Sequence, residues 1–245
     1  MKKILVAFAL KEEFAPWRRR HRFRPISDLP LPVTVTSFGT TEVYTALAGA
    51  GAPDAHYFRD LTTQFTPSLG IVTGVAAGLK PDWRPGDMLV ARSVCGPGGE
   101  EKIAGDPRLI DLAMQCGAKP APTLITLPRI ARTVAEKVCL ASLGDAADME
   151  SWPLIKQWST RGIPSLALRV ILDAVEMPMT CDFEAAMDAH GQVRITQIMA
   201  QLVRRPQLLL DFLRLARQSR RSLKILACYL DRFFERLDRQ VSVSG

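Results

Sequence analysis

The segment 148-DMESWPLIKQWSTRGIPSLALRVILD-173 decides the fold class of this 245-residue chain. Its first half has apolar residues at helical spacing, and Arg-Gly-Ile-Pro then marks a turn. Its second half, Leu166–Leu172, is apolar on both faces except for Arg169, which is typical of a buried parallel strand. Glu150 and Asp173 stand at the ends of the two apolar segments, where folding requires no charge. Ligands of open α/β sheets bind beyond the carboxyl ends of the strands, so both acids are candidate site residues.

Strand-like and helix-like segments alternate along most of the chain. We predict strands at 4–9, 33–38, 69–73, 88–94, 123–127 and 165–172, and helices at 42–50, 107–116, 130–142 and 151–160. This alternation predicts an α/β fold in which helices flank a mixed, mostly parallel sheet. From residue 191 the pattern indicates only helices, one short and two longer. We therefore expect a catalytic α/β domain over 1–190 and a basic, amphipathic, all-helical extension over 191–245, packed on the same domain.

The composition excludes several classes of protein. Hydrophobic residues make up 47% of the chain, enough for a sizeable core, but no run approaches the roughly 20 apolar residues of a membrane span. We interpret the apolar start as a first strand rather than a signal peptide, and we expect a cytoplasmic location. Five widely spaced cysteines without a C-x-x-C pair, together with three isolated histidines, predict neither disulfides nor a metal site.

The net charge of +7 is concentrated near the C-terminus. Residues 192–245 hold eleven Arg or Lys and four Asp or Glu, whereas the rest of the chain is balanced. One interpretation is core-packed helices with solvated basic faces. The other is an amphipathic surface, roughly 192–240, for a membrane or an amphiphilic ligand, which would place the protein peripherally at the inner membrane face. No nucleic-acid-binding motif accompanies the charge, so nucleic acid is not an expected partner.

Three further groups of residues stand at predicted strand exits. Glu12 and Glu13 follow the first strand, Gly74 to Gly78 follow the strand at 69–73, and Arg169 precedes Asp173 by four residues. The glycine-containing segment is neither G-x-G-x-x-G nor a P-loop, so it does not indicate a dinucleotide or a triphosphate. Separately, these features could be a helix N-terminus, a tight turn and a buried ion pair. Together they could converge on one crevice.

With these motifs in view, the chain resembles the nucleoside phosphorylase superfamily over about residues 1–190. The resemblance rests on Glu-Glu after the first strand, Thr-Gly-Val-Ala-Ala-Gly-Leu-x-Pro-Asp-x-x-x-Gly-Asp, Asp-Met-Glu-Ser and Arg-x-x-x-Asp. Within the superfamily it looks like the methylthioadenosine/S-adenosylhomocysteine nucleosidase branch. The C-terminal segment, with Arg204-Arg205-Pro206-Gln207-Leu208, is similar to the hopanoid-associated phosphorylases, also called adenosylhopane nucleosidases.

The resemblance implies a role for each matching residue. Glu150 would hold the ribose 2′- and 3′-hydroxyls, and Met149 would pack against the sugar. Asp173 would protonate purine N7, Glu13 would activate the attacking water, and Arg169 would lie near that water or an anion. Backbone N–H groups of Gly74, Val75, Ala76 and Ala77 would face the substrate.

The sequence departs from the superfamily pattern at Val72 and Val75, where phosphate-using members carry an arginine and a serine. Water is therefore favoured over phosphate as nucleophile, although backbone N–H groups could still bind an anion. Three functions stay open: hydrolysis releasing adenine from a 5′-substituted adenosine with a hydrophobic 5′ group, phosphorolysis of the same substrate, and noncatalytic adenosine binding. We expect no cofactor beyond possible phosphate as co-substrate, and a possible homodimer.

Overall fold

A twelve-stranded mixed sheet organises the part of the chain that the computed structural model describes, residues 2–27, 29, 32–51, 55–99, 101–180, 182–186, 188 and 194–243. Its strands are β1 Lys2–Phe8, β2 Arg24–Ile26, β3 Val33–Phe38, β4 Thr41–Leu47, β5 Leu69–Gly78, β6 Met88–Ala91, β7 Ser93–Cys95, β8 Ile103–Ala104, β9 Lys119–Ala121, β10 Leu124–Thr126, β11 Ala146–Asp148 and β12 Ser165–Asp173. The helices are α1 Lys11–Arg18, α2 Ala55–Phe65, α3 Pro107–Gln115, α4 Val134–Leu140, α5 Ser151–Ser159, α6 Ile195–Arg204 and α7 Leu209–Val243, with a 3₁₀ turn at Pro206–Leu208. The predicted α/β class is confirmed.

The long strand β5 holds the sheet together. It pairs in parallel with β1 and β12 and antiparallel with β11. On its other side β1 pairs in parallel with β4, and β2, β3 and β4 form an antiparallel meander at one edge. The sequence analysis ended this strand at Thr73, but the strand continues to Gly78. Gly74, Val75, Ala76 and Ala77 therefore belong to the strand itself and not to a loop beyond it.

The predicted helix at 42–50 is wrong, because this segment contains β4. Every second residue from Thr41 to Thr45 is β-branched, and β3 pairs with the strand through a two-residue turn at Gly39-Thr40. Gly39 has φ +55°, the left-handed conformation that a tight hairpin needs. The turn and the β-branched residues outweigh the weak helical spacing. The sequence analysis also missed the helix α2.

The C-terminal residues form one 35-residue helix, α7, where two separate helices were predicted. Its second half is part of the main core. There it packs against α1, β5 and β12 through the predicted stripe Leu223, Leu226, Tyr229, Leu230, Phe233, Phe234 and Leu237. The predicted boundary at residue 190 lies outside the described residues. Among the described residues, no helix is long and apolar enough to cross a membrane.

Candidate active site

A cavity of about 650 Å³ lies beyond the carboxyl ends of β1 and β12. Its wall includes seven of the predicted site residues, which are Glu13, Val75, Ala76, Ala77, Met149, Glu150 and Asp173. Arg169 and Gly74 lie directly behind this wall, paired in register between β12 and β5. Four segments that are distant in sequence therefore meet at one place, as the strand-exit argument predicted.

Glu13 is held by backbone N–H groups. It lies in the first turn of α1, and its Oε2 accepts from Ala9 N (3.0 Å) and Leu10 N (3.1 Å), while Oε1 accepts from Val75 N (2.9 Å). Burial raises the pKa of this carboxyl, and the charge of Arg169 together with the three N–H groups opposes that shift. The carboxylate is thus fixed in orientation, and the Val75 N–H is not free to bind an anion.

Arg169 is fully buried and shared by several carboxylates. Its Nη2 lies 2.5 Å from Asp148 Oδ2 and 3.2 Å from Glu150 Oε2, and it donates to Ser151 Oγ at 3.1 Å. Burial alone would lower the pKa of Arg169, but the nearby carboxylates of Asp148, Glu150 and Glu13 raise it above the ordinary value. The guanidinium is therefore permanently charged. It lies behind the floor of the cavity, the part of the wall that Glu13, Asp148 and Glu150 form.

Glu150 stands at the N-terminus of α5 with its carboxyl facing the cavity. Oε1 accepts from Gly51 N at 3.1 Å, and Oε2 accepts from Arg169. Burial raises the pKa of Glu150, Arg169 opposes the shift, and the charges of Asp148 and Glu13 reinforce it. Met149 lies beside it in the cavity wall. A carboxyl held in this way can pair with two neighbouring hydroxyl groups.

Asp173 is placed by an irregularity at the end of β12. Arg169 pairs with Gly74 but Asp173 pairs with Ala77, so β12 uses one more residue than β5 over this stretch. Such a bulge changes the face on which the following side chain lies. Burial raises the pKa of Asp173, and the ammonium of Lys137, which contacts Oδ2, opposes that shift. A carboxyl group whose pKa is raised by burial is suited to general acid catalysis.

The helix α7 supports the end of β12 and closes one side of the cavity. Gln218 donates to the carbonyl of Leu172, and Ser222 donates to the carbonyl of Ile171 at 3.2 Å. Apolar side chains of α6, α7 and the segment before them line this side, namely Met179, Phe183, Ile195, Phe212, Leu215 and Leu223. The C-terminal residues thus belong to the cavity as well as to the core.

Gly74 permits the close approach of Glu13 and Arg169. Its φ is +146°, and a Cβ atom there would lie 2.6 Å from Glu13 Oε1 and 2.8 Å from Arg169 Nη1. Neither atom could remain in place, so no side chain is tolerated at this position without moving the site.

The family profile described as the phosphorylase superfamily matches residues 3–204, which is most of the chain. The chain belongs to the phosphorylase superfamily. A comparison with curated protein sequences finds no match.

Solved structures of two nucleosidases and of a hydrolase share the fold of this chain. The 5′-methylthioadenosine/S-adenosylhomocysteine nucleosidase of Campylobacter jejuni superposes with a TM-score of 0.73 at 17% identity, covering 96% of this chain and 100% of that one. The corresponding Helicobacter pylori nucleosidase gives 0.70 at 16% identity, with coverage of 96% and 100%. A mutant of H. pylori futalosine hydrolase gives 0.68 at 16% identity, with coverage of 94% and 99%. At these identities the similarity establishes the fold alone.

The cavity region contains residues to which the sequence analysis assigned no role. Asp148 stood in the quoted Asp-Met-Glu motif without a role, and it binds Arg169 and accepts from Thr126 Oγ1 at 2.7 Å. Lys137 left no signal, because a single lysine in an amphipathic helix is usually solvated. Val72, where a phosphate-binding side chain was considered, packs in the core. Among the described residues, no cluster of His, Cys, Asp and Glu could hold a metal ion.

Proposed function

We propose that this protein is an N-glycosidase that uses water to release adenine from a 5′-substituted adenosine. The observation that carries the proposal is the convergence of three buried carboxyl groups, Glu13, Glu150 and Asp173, on one cavity, each with a different set of partners. Different environments assign different roles to chemically similar acids. The similarity to methylthioadenosine/S-adenosylhomocysteine and futalosine nucleosidases supports the same reaction class.

The three acids divide the reaction among them. Glu150 holds the ribose hydroxyls, and Asp173 gives its proton to purine N7 as the bond from the sugar C1′ to N9 breaks, so that the electron pair leaves with the base. Glu13 accepts a proton from water as the water oxygen bonds to C1′. Arg169 orients Glu13 and Glu150 through its charge. Solvent then returns a proton to Asp173 and takes one from Glu13.

The electrostatics of the cavity floor favour water over phosphate. The guanidinium of Arg169 is fully buried behind the cavity wall, and the acidic groups Glu13, Asp148 and Glu150 that surround it already engage its charge. A phosphate dianion at this floor would meet carboxyl groups before it reached the buried guanidinium, whereas a neutral water needs no compensating cation. The Val75 N–H, a candidate anion donor, is already bonded to Glu13.

The apolar side of the cavity suits a large hydrophobic 5′ substituent. Phe183, Ile195, Phe212 and Leu215 line it, and burying apolar surface there would contribute roughly 25 cal/mol per Å². The similarity of the C-terminal segment to hopanoid-associated phosphorylases makes adenosylhopane the specific substrate that we propose, with ribosylhopane as product.

An exposed apolar patch next to this side of the cavity fits a lipid surface. It consists of Ile195, Met199, Val203, Leu209, Leu210 and Leu213, of which Val203 is 80% exposed. Ile195 belongs to both the patch and the cavity wall, so the two are continuous. Exposed Arg204, Arg205 and Arg214 flank the patch and would attract anionic lipid. We therefore propose peripheral membrane contact through α6 and the start of α7.

A substrate panel tests the proposal. Adenosine, 5′-methylthioadenosine and adenosylhopane are each incubated with the protein, and free adenine is measured. We expect adenine release in every case in which the substrate binds, with the highest kcat/KM for adenosylhopane. The control is Asp173→Asn, which should keep the fold and lose about 10²-fold or more in kcat. Binding of the substrates without adenine release would favour a noncatalytic adenosine-binding protein.

A further inference from the structure

Lys137 is a buried lysine directly behind the proposed general acid. It lies in α4, and its side chain is fully buried. Its Nζ donates to Asp173 Oδ2, to the Ala174 carbonyl at 3.0 Å and to the Met177 carbonyl at 2.6 Å. Three oxygen acceptors around one nitrogen require three N–H donors, which only the charged ammonium provides. A buried cation is therefore paired with the carboxyl group that faces the base.

The arrangement separates the cavity from the cation. Asp173 lines the cavity, and Lys137 reaches the cavity only through it. The two carbonyl groups that complete the ammonium shell belong to the segment that follows β12. Lys137 thus joins α4, the end of β12 and that segment at the point where Asp173 must be oriented. Replacing a whole buried ion pair by apolar residues is often neutral for folding, although removing one partner alone is destabilising, so the pair is weak evidence for a purely structural role.

We propose that Lys137 is a positioning residue for the reaction: it holds Asp173 Oδ1 toward the base and stabilises the carboxylate that forms as Asp173 gives up its proton. The proposal rests on the proposed function. When the proton moves from Asp173 to purine N7, the carboxyl group becomes negative beside an ammonium that is already in place. The charge that develops in the transition state is then stabilised by a preorganised cation, with no reorganisation at the moment of reaction.

The test compares two leaving groups. Adenine needs protonation to depart, whereas the nitrophenolate of 4-nitrophenyl β-D-ribofuranoside does not. Lys137→Met should lower kcat for adenine release by about 10-fold or more and change nitrophenolate release by less than about 3-fold. The matched control is Lys80→Met, which removes another lysine–aspartate pair, Lys80 with Asp145, outside the cavity. That variant should retain both activities. Equal losses on both substrates, or no loss on either, would overturn the proposal.

Two further measurements keep the test decisive if Lys137→Met folds poorly or nitrophenyl riboside is not a substrate. Lys137→Gln keeps hydrogen-bond donors without the charge. In a double-mutant cycle with Asp173→Asn, loss of Lys137 should cost almost nothing once the acid is absent, whereas additive losses would indicate a structural role. No adenine release by the wild-type protein from any substrate would instead reject the proposed function itself.

The pH profile supplies an independent readout. Because the Lys137 ammonium lowers the pKa of Asp173, Lys137→Met should move the alkaline limb of kcat to higher pH while lowering its plateau. The other ionisable groups of the cavity are common to both proteins, so the comparison isolates the pair; they include Glu13, Asp148, Glu150, Arg129, Arg220 and Lys224. An unmoved limb would contradict the assignment.

Discussion

At the scale of single residues, the site contains three carboxyl groups whose burial disfavours the charged form. Glu13, Glu150 and Asp173 each have a raised pKa whose first cause is burial. The sequence indicated all three, since an acid at the end of an apolar segment has no folding role. It did not indicate Lys137, because that contact joins residues 36 apart and depends on how α4 packs against β12. Isolated acids at strand ends are visible in a sequence, whereas their partners depend on tertiary structure.

Glu150 gives a prediction about stability and pH. Because burial raises its pKa above the value in the unfolded chain, the folded protein binds more protons than the unfolded chain between those two pKa values. The free energy of unfolding contributed by this group is therefore lost as the pH rises through that range. The Glu150→Gln variant carries no such group, so its Tm relative to wild type should increase from about pH 5 to about pH 9.

Thermal unfolding across that pH range checks this expectation. Glu235→Gln, on the exposed face of α7, serves as the control and should follow the wild-type curve. Parallel curves for wild type and Glu150→Gln would show that the Glu150 pKa is not raised by burial.

At the scale of elements, the sequence predicted several strands well, but it did not predict the ends of strands, the hairpin turn or the continuity of α7. The strands β1, β3, β10 and β12 were predicted to within a few residues. In contrast, β5 continues past Thr73, and β11, which lies between β5 and β10, was not predicted. The helix predicted at 42–50 failed because the hairpin at Gly39 was overlooked. The single helix α7 was divided in two because its apolar stripe is interrupted by a polar stretch around Ser219–Ser222. Periodicity reports burial, and neither the end of a strand nor the continuity of a helix follows from burial alone.

The strand β5 gives a prediction at this scale. Gly74→Ala places a methyl group where the Glu13 carboxylate and the Arg169 guanidinium now meet. We expect kcat to fall by about 10²-fold, because displacement of a positioned group by about 1 Å has that effect. Gly162→Ala is the matched control, since Gly162 also has a positive φ, +66°, but no atom lies within 4 Å of its Cβ position. Equal activity of the two variants would show that the site does not require glycine at position 74.

At the scale of the whole molecule, the C-terminal helices differ along their length. The second half of α7 is core, and its basic residues Arg232, Arg236 and Arg239 are exposed. The start of α7 and α6 instead carry the exposed apolar patch. Net charge alone could not separate these regions, because basic residues are spread over both.

Vesicle sedimentation tests the membrane contact. The triple variant Met199→Ser, Val203→Ser and Leu210→Ser should bind anionic vesicles at least about 10-fold more weakly than wild type, because it removes apolar surface that would enter the interface. The matched control changes the exposed apolar residues Val134, Val138 and Leu143 of the region around α4 to Ser and should bind like wild type. Equal binding by wild type and the patch variant would exclude this surface as the contact.

The most direct test of the central claim is the identity of the nucleophile. The protein is incubated with adenosylhopane in phosphate-free buffer and, separately, in excess phosphate, and both adenine and the sugar product are measured by mass spectrometry. The acidic floor formed by Glu13, Asp148 and Glu150 predicts equal rates of adenine release and a free reducing sugar in both buffers. Adenine release that requires phosphate, with a ribose 1-phosphate as product, would contradict the account.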